Sequence, residues 1–157
     1  MGILNLEAGT ELMIRQINSD DVDHLEALDK KCFPNEVRYN RYALSHYLSL
    51  PNAIGLLQSN NNILQGFIIT TMFDENIANI VTIDVDPLVR NRGIGSNLVF
   101  AIKNILKGRQ VKRITLQVSI NNSVAIGFYM KHGFRITKQL PNYYPNTDGY
   151  QMEYEME

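Results

Sequence analysis

The chain has 157 residues and a mass of 17.9 kDa, the size of one ordinary domain able to fold without staples. Fifteen Lys and Arg against sixteen Asp and Glu, with 45% apolar and 20% charged residues, exclude a disordered composition and a generally basic nucleic-acid binder. A single thiol, Cys32, excludes a disulfide framework, a cysteine-based zinc site and a redox pair, while eight Tyr beside six Phe and no Trp stand out.

Residues 1–12 carry no Lys or Arg and only a short, broken apolar patch, so they predict no secretory signal. Leu6 stands where myristoylation needs Ser or Thr. The segment reads as a loose N-terminal extension or a leftover of expression. No apolar run approaches the ~18 residues that span a bilayer, so no membrane partner and a cytoplasmic setting are expected. Residues 13–18 read as a strand, and Ser19-Asp20-Asp21 offers a helix N-cap. Val22, Leu25 and Leu28 then recur at helical spacing until Pro34. Residues 40–50 read as a second helix, ended by Pro51.

Ala53–Gln58, Ile63–Phe73 and Ile77–Val85 read as three strands joined by polar turns. From Gly93 a helix carries Ile94, Leu98, Ala101, Ile102, Ile105 and Leu106 on one face. Arg113–Ile120 reads as a strand, Asn121–Lys131 as a helix and Phe134–Leu140 as a strand. A Pro-, Tyr- and Asn-rich loop runs through Thr147, and Asp148–Met156 closes as a strand. With no repeat and no linker, residues 13–157 form one mixed α/β domain.

Arg90-Asn91-Arg92-Gly93-Ile94-Gly95-Ser96 lies between a strand and an amphipathic helix. A helix N-terminus offers unpaired N–H groups and a partial positive charge, which suits a phosphate. It is neither a Walker loop nor a dinucleotide fingerprint, because no Gly-Lys-Ser/Thr follows and Leu98 takes the place of the third Gly. By itself the heptapeptide is equally a Gly-rich turn with two solvated arginines. Val85–Gly95, however, resembles the pyrophosphate loop of the GNAT superfamily of acyl-CoA-dependent N-acyltransferases, with its Arg/Gln-x-x-Gly-x-Gly/Ala signature. Beyond the next strand, Asn122-x-x-Ala125-x-x-x-Tyr129-x-x-x-Gly133-Phe134 is similar to the family's second signature.

The resemblance covers residues 13–156. It implies a mostly antiparallel sheet of about seven strands and about four helices, with a splayed central parallel pair that holds acetyl-CoA as co-substrate. Backbone groups at Ile83, Asp84 and Val85 would bond the pantetheine. Arg90, Asn91, Arg92, Gly93, Ile94, Gly95 and Ser96 would take the pyrophosphate, and the Asn122 side chain would touch the cofactor. Tyr129 holds the place of the acid for the departing thiolate, a phenol of pKa ~10.

Two further segments narrow the branch. Asn142-Tyr143-Tyr144-Pro145 is similar to the loop of ribosomal-protein-alanine N-acetyltransferases and their N-alpha-acetyltransferase relatives, and Cys32-Phe33-Pro34-Asn35-Glu36 with Tyr39 to their first inter-helix loop. The resemblance implies that Phe33, Pro34, Glu36, Tyr39, Tyr143 and Tyr144 bracket a protein or peptide N-terminus as acceptor. Paired tyrosines otherwise simply cover a sheet edge beside Pro141 and Pro145.

The base departs from the family. Gln117 and Asn79 occupy the two usual positions and neither accepts a proton, so either they hold a water that carries the proton away, or a carboxylate such as Glu36 or Asp84 serves. An α-amine titrates near ~8 against ~10.4 for lysine, so the departure favours α-amines. Cys32 has no His near it in sequence, which points to direct transfer in a ternary complex. His24, His46 and His132 lack a second ligand at metal spacing, so no metal is expected. Lys103, Lys107, Arg109, Lys112 and Arg113 are either solvated surface or a lure for the coenzyme's 3′-phosphate. The alternatives are a GNAT enzyme for a small amine such as a polyamine or amino acid, and an acyl-CoA-binding module that has lost its base. Oligomeric state is left open.

Overall fold

The computed structural model describes residues 4–5, 12–34 and 37–157. Strands β1 (Leu4–Asn5) and β2 (Leu12–Gln16) precede helices α1 (Val22–Cys32) and α2 (Arg41–Ser49). A meander of β3 (Ile54–Asn60), β4 (Ile63–Met72) and β5 (Ile77–Val85) follows. Then come α3 (Ile94–Gly108), β6 (Arg113–Ser119), α4 (Ser123–Lys131), β7 (Arg135–Tyr144) and β8 (Thr147–Glu155). One sheet orders the strands β1-β2-β3-β4-β5-β6-β8-β7, antiparallel throughout except for the β5–β6 pair. The mixed, mostly antiparallel sheet with one parallel pair and four helices is the expected architecture. Leu4–Asn5, within the stretch read as a loose extension, pairs with Met13–Ile14 of β2.

Both faces of the sheet are covered, so the central strands are apolar without alternation. On one face Leu56, Ile68, Ala78, Ile80, Ile114 and Leu116 pack against Leu98, Ile102 and Leu106 of α3. On the other, Leu57, Phe67 and Ile69 pack against Leu25 and Leu28 of α1 and Leu44 of α2. Neighbouring residues such as Leu56 and Leu57 serve opposite cores, which is the period-2 geometry of a strand.

The central parallel pair is short. β5 and β6 pair only from Ile77↔Arg113 to Ile80↔Leu116. Against β4 the register passes from Ile69↔Thr82 to Thr70↔Ile80, which leaves Val81 as an extra residue. A bulge bends its strand, and beyond it β5 runs on to Val85 while β6 stays with β8 as far as Ser119↔Gly149. The sheet therefore opens between the ends of β5 and β6. Gly66 holds the far side of the bent strand closed: a Cβ there would meet the Asp84 carbonyl oxygen at 2.7 Å.

Three local expectations shift. The cap of the first helical turn is Asn18, read above as strand; its side chain accepts from Asp20 N–H while Asp21 accepts from Asn18 N–H at 2.8 Å, a reciprocal capping box. The last helix begins at Ser123, not Asn121, because Asn122 caps it through Oδ1 to the Ala125 N–H at 3.1 Å. The segment read as a loop through Thr147 is mostly strand. Its register slips between Leu140↔Gly149 and Tyr144↔Thr147, and Asp148 holds the bulge by accepting from Asn142 N–H at 2.8 Å and Gln139 Nε2 at 2.9 Å.

Candidate active site

The Gly-rich segment forms the turn into α3. A single helical turn at Pro87–Val89 is capped by Asp86. Asn91 (φ 63°) and Gly93 (φ 85°) then take left-handed backbone, the second without steric cost because it lacks a Cβ. The two reversals let α3 start at Ile94 with no side chain capping its first turn. Its orphan N–H groups are free for an anion. Asn91, Arg92 and Gly93 are exposed, whereas the Ile94 side chain is core and offers only its backbone. Arg90 reaches back: its Nε donates to Val85 O at 3.1 Å. The Ser96 hydroxyl lies 2.9 Å from His132 Nε2; burial, then Lys103 and Lys131, push that imidazole's pKa down.

The opened edge of β5 lies beside this turn. Asp86 N–H turns toward β4 and donates to Gln65 O at 2.8 Å. By the alternation of an antiparallel ladder, the backbone groups of Ile83 and Val85 face the opening. The Val85 carbonyl already accepts from Arg90 and from Cys32 Sγ at 3.4 Å. Burial and the nearby Asp84 charge push the Cys32 thiol up to about 11, so it stays protonated at neutral pH.

Tyr129 of α4 is buried, its ring edge-on to Phe128 at 5.5 Å and Phe134 at 5.8 Å. Burial raises its phenol pKa well above the usual range, with Asp84 and Tyr144 adding to the effect. On the α1 side, Tyr39 and Tyr47 meet edge-on at 5.6 Å, as do Tyr143 and Tyr144 at 5.0 Å. Burial raises the Tyr39 phenol, helped by Tyr47, Tyr144 and Tyr143, and brings Tyr144 up to about 12. The segment after α1 and the β7–β8 hairpin therefore face one another across one phenol cluster. Phe33 is half-buried and Pro34 exposed; Glu36 lies outside the described residues.

Gln117 is half-buried on β6, opposite Gln151 of β8. Asn79 sits in the closed part of the parallel ladder, where its Oδ1 accepts from the Thr115 hydroxyl at 2.8 Å, so its amide is spent on holding the strands. Of the basic cluster, Lys103 lies 3.7 Å over the Tyr154 ring and donates to His132 O at 2.5 Å. Arg109 bonds Asn52 O and Arg113 bonds Glu155; Lys107, Arg109 and Lys112 are the exposed members.

Asp29 and Tyr47 join the site without having been singled out from the sequence. The signal was there for Asp29, a carboxylate on the apolar stripe Leu25–Leu28–Cys32 of α1. Asp29 and Asp84 are 0% and 1% exposed. Burial raises both carboxyls, Asp84 the more strongly because Asp29 bonds and repels it. Raised carboxyls bind protons more tightly folded than unfolded, so stability is full below the ordinary Asp range and falls as pH rises through the raised values. We expect wild-type unfolding free energy to decline from pH 5 to pH 9, by up to about 1.4 kcal/mol per pH unit. Asp84→Asn is expected to flatten that slope in urea titrations; an unchanged slope would show that the pair does not hold the proton.

A sheet split at its one parallel pair, with a bare helix N-terminus and a buried phenol at the split, is the framework of a coenzyme-dependent acyltransferase. The chain belongs to the acetyltransferase (GNAT) family, whose model matches residues 22–134, and its co-substrate is acetyl-CoA. It is 33% identical over 89 residues to the [ribosomal protein bS18]-alanine N-acetyltransferase of Haemophilus ducreyi, covering 57% of this chain and 60% of the relative. It is 36% identical over 62 residues to N-alpha-acetyltransferase 30 of Schizosaccharomyces pombe, covering 39% and 41%. The solved structure of Ard1 from Thermoplasma volcanium superposes with a TM-score of 0.87 at 25% identity, over 94% of this chain and 99% of that one.

Proposed function

We propose that this N-acetyltransferase acts on the α-amine of a protein or peptide N-terminus, by direct transfer from acetyl-CoA in a ternary complex. The observation that carries the reading is the tyrosine wall: Tyr39 and Tyr47 face Tyr143 and Tyr144 on the α1 side of the opening. Phenols give a rigid apolar surface with hydroxyls that bond a peptide backbone. The relatives named for a ribosomal-protein alanine and for N-alpha-acetylation support a protein acceptor. Direct transfer is supported by Cys32, which is held on Val85 O and stays a thiol, so no nucleophilic thiolate is at hand.

In this reading the α3 N-terminus holds the pyrophosphate through residues 91–96. The edge of β5 at Ile83–Val85 holds the pantetheine, and Asn122, its Oδ1 committed to the cap, offers its amide to the cofactor. A scan of acceptors tests it. Hexapeptides with free N-termini are expected to exceed free amino acids and polyamines in kcat/KM by at least about tenfold, the scale of one well-filled subsite. Equal turnover would assign the enzyme to small amines. Coenzyme binding without thiol release at any pH from 6 to 9 would make it a binding module that has lost its base.

A further inference from the structure

One neighbour of the turn at residues 91–96 has no part in the reading above. His132, the C-cap of α4, places its Nε2 2.9 Å from the hydroxyl of Ser96. Ser96 is the third residue of α3. The helix's own ladder starts one residue later, where Asn97 N–H donates to Gly93 O at 2.9 Å, so the N–H groups of Ile94, Gly95 and Ser96 lie ahead of it. The hydroxyl that His132 holds therefore belongs to the same turn as those donors.

The imidazole is fixed by its neighbours. Its ring lies 4.6 Å from that of Phe128, and Phe128 packs so closely on the first turn of α3 that a Cβ on Gly95 would meet it at 3.1 Å. Lys103, further along α3, donates to the His132 carbonyl and covers the Tyr154 ring of β8. That ring closes on Gly133, where a Cβ would come within 3.0 Å. Elements α3, α4 and β8 thus hold His132 against Ser96.

The charges that act on the ring are of one sign. Burial, then Lys103 from α3 and Lys131 on α4 itself, disfavour the imidazolium and take its pKa below the ordinary ~6.5. Glu157 acts on Lys103, but no carboxylate pairs with the imidazole among the described residues. In the free protein the ring is therefore neutral at pH 7, in surroundings that are short of an anion.

We propose that His132 is a positioning residue of the coenzyme site: an Nε2 proton donated to Ser96 Oγ frees the Ser96 proton for a phosphate oxygen, so the coenzyme binds together with a proton on His132. This rests on the reading that residues 91–96 hold the pyrophosphate, and it is independent of the acceptor. A hydroxyl carries one proton, and a neutral imidazole one N–H. With a lone pair on Nε2, Ser96 spends its proton on the ring and turns only lone pairs toward an anion. With a proton on Nε2 the ring donates, and Ser96 joins the backbone N–H groups as a donor to phosphate. A neutral ring supplies that proton only by giving up the one on Nδ1, whereas the imidazolium carries both and adds a full positive charge. Arg90, which the motif offers to the phosphate, has its Nε turned onto Val85 O; a protonated His132 adds charge to the same turn from α4. The pyrophosphate is the counter-ion that the ring lacks.

The coupling is reciprocal. The bound anion raises the His132 pKa, and affinity is full where His132 is already protonated in the free protein. Affinity falls as pH rises through the interval between the free and the bound pKa, and levels off above it.

The test uses the full chain with dephospho-coenzyme A as the probe. Its pyrophosphate stays fully charged from pH 5 to pH 8, whereas the 3′-phosphate of acetyl-CoA is a monoester that titrates near ~6 and would mask the effect. NMR titration of the histidine ring protons, with His132→Gln assigning the signal, should place the His132 pKa about one pH unit higher when the probe is bound. Calorimetry should show probe affinity falling about tenfold from pH 5 to pH 8, with proton uptake on binding. His132→Gln keeps a side-chain N–H for Ser96 but does not titrate, so its affinity should be nearly independent of pH. An unmoved His132 pKa, or the wild-type pH dependence retained in His132→Gln, would overturn the proposal. Backbone amide shifts on probe binding separate it from the reading beneath it. Shifts that leave residues 91–96 untouched would remove the pyrophosphate site and the role of His132 with it. Shifts centred on residues 91–96 with an unmoved His132 pKa would remove only the role of His132.

Discussion

Tyr129→Phe is expected to lower kcat by on the order of 10²–10³-fold, the range for removing a positioned general acid, while changing acetyl-CoA affinity by less than about twofold. The substitution removes one oxygen and keeps the ring, which packs against Phe128 and Phe134, so the end of α4 stays in place. Two measurements check it: steady-state rates with a saturating acceptor, and coenzyme binding by calorimetry. A loss in kcat alone marks an interaction made only as the C–S bond breaks. Equal losses in rate and affinity would make Tyr129 a packing residue.

The chain order of elements was legible because each carries a local signal. Ile77–Val85 is dense in β-branched residues and is a strand over that same span. Asn61 and Asn62 take left-handed backbone at the β3–β4 turn, where Asn tolerates it. The turn into α3 was legible for a similar reason, since Gly93 and the helix start are neighbours in sequence. What escaped is non-local. Nothing in Ile77–Val85 marks Val81 as the extra residue, because the bulge exists only relative to β4. The Asn142 bulge depends on Asp148, several residues away and on the next strand. Arg90 reads as a phosphate ligand from its place in the motif, yet the bend after Val85 brings it to its own strand end. Asp29 and Asp84 are far apart in the chain, and although Asp29 stands on an apolar stripe, nothing local joins it to Asp84. Only the packing of α1 across the open end of β5 makes them a pair.

Phe67→Ala is expected to destabilise the fold by about 3–5 kcal/mol. For a domain of this size that corresponds to a melting temperature lower by roughly 6–20 °C. Phe67 is 0% exposed and is surrounded by Leu25, Leu28, Leu44, Leu57 and Ile69, so the cavity left behind is lined from both helices and cannot collapse without moving them. Phe67→Leu, which keeps most of the volume, should cost roughly 1.5 kcal/mol. The alanine variant also tests how the core serves the site. Phe67 is the direct cross-strand neighbour of Asp84, and burial is the largest cause of that carboxyl's raised pKa. Opening a cavity beside it lets water reach the charge, lowers the pKa and weakens the decline of stability with rising pH. Urea titrations of the alanine variant at pH 5 and pH 9 should therefore differ less than those of the wild type. An equal or larger difference would mean that the pair's proton is held by the two carboxyls alone, without help from the ring that walls them off from solvent.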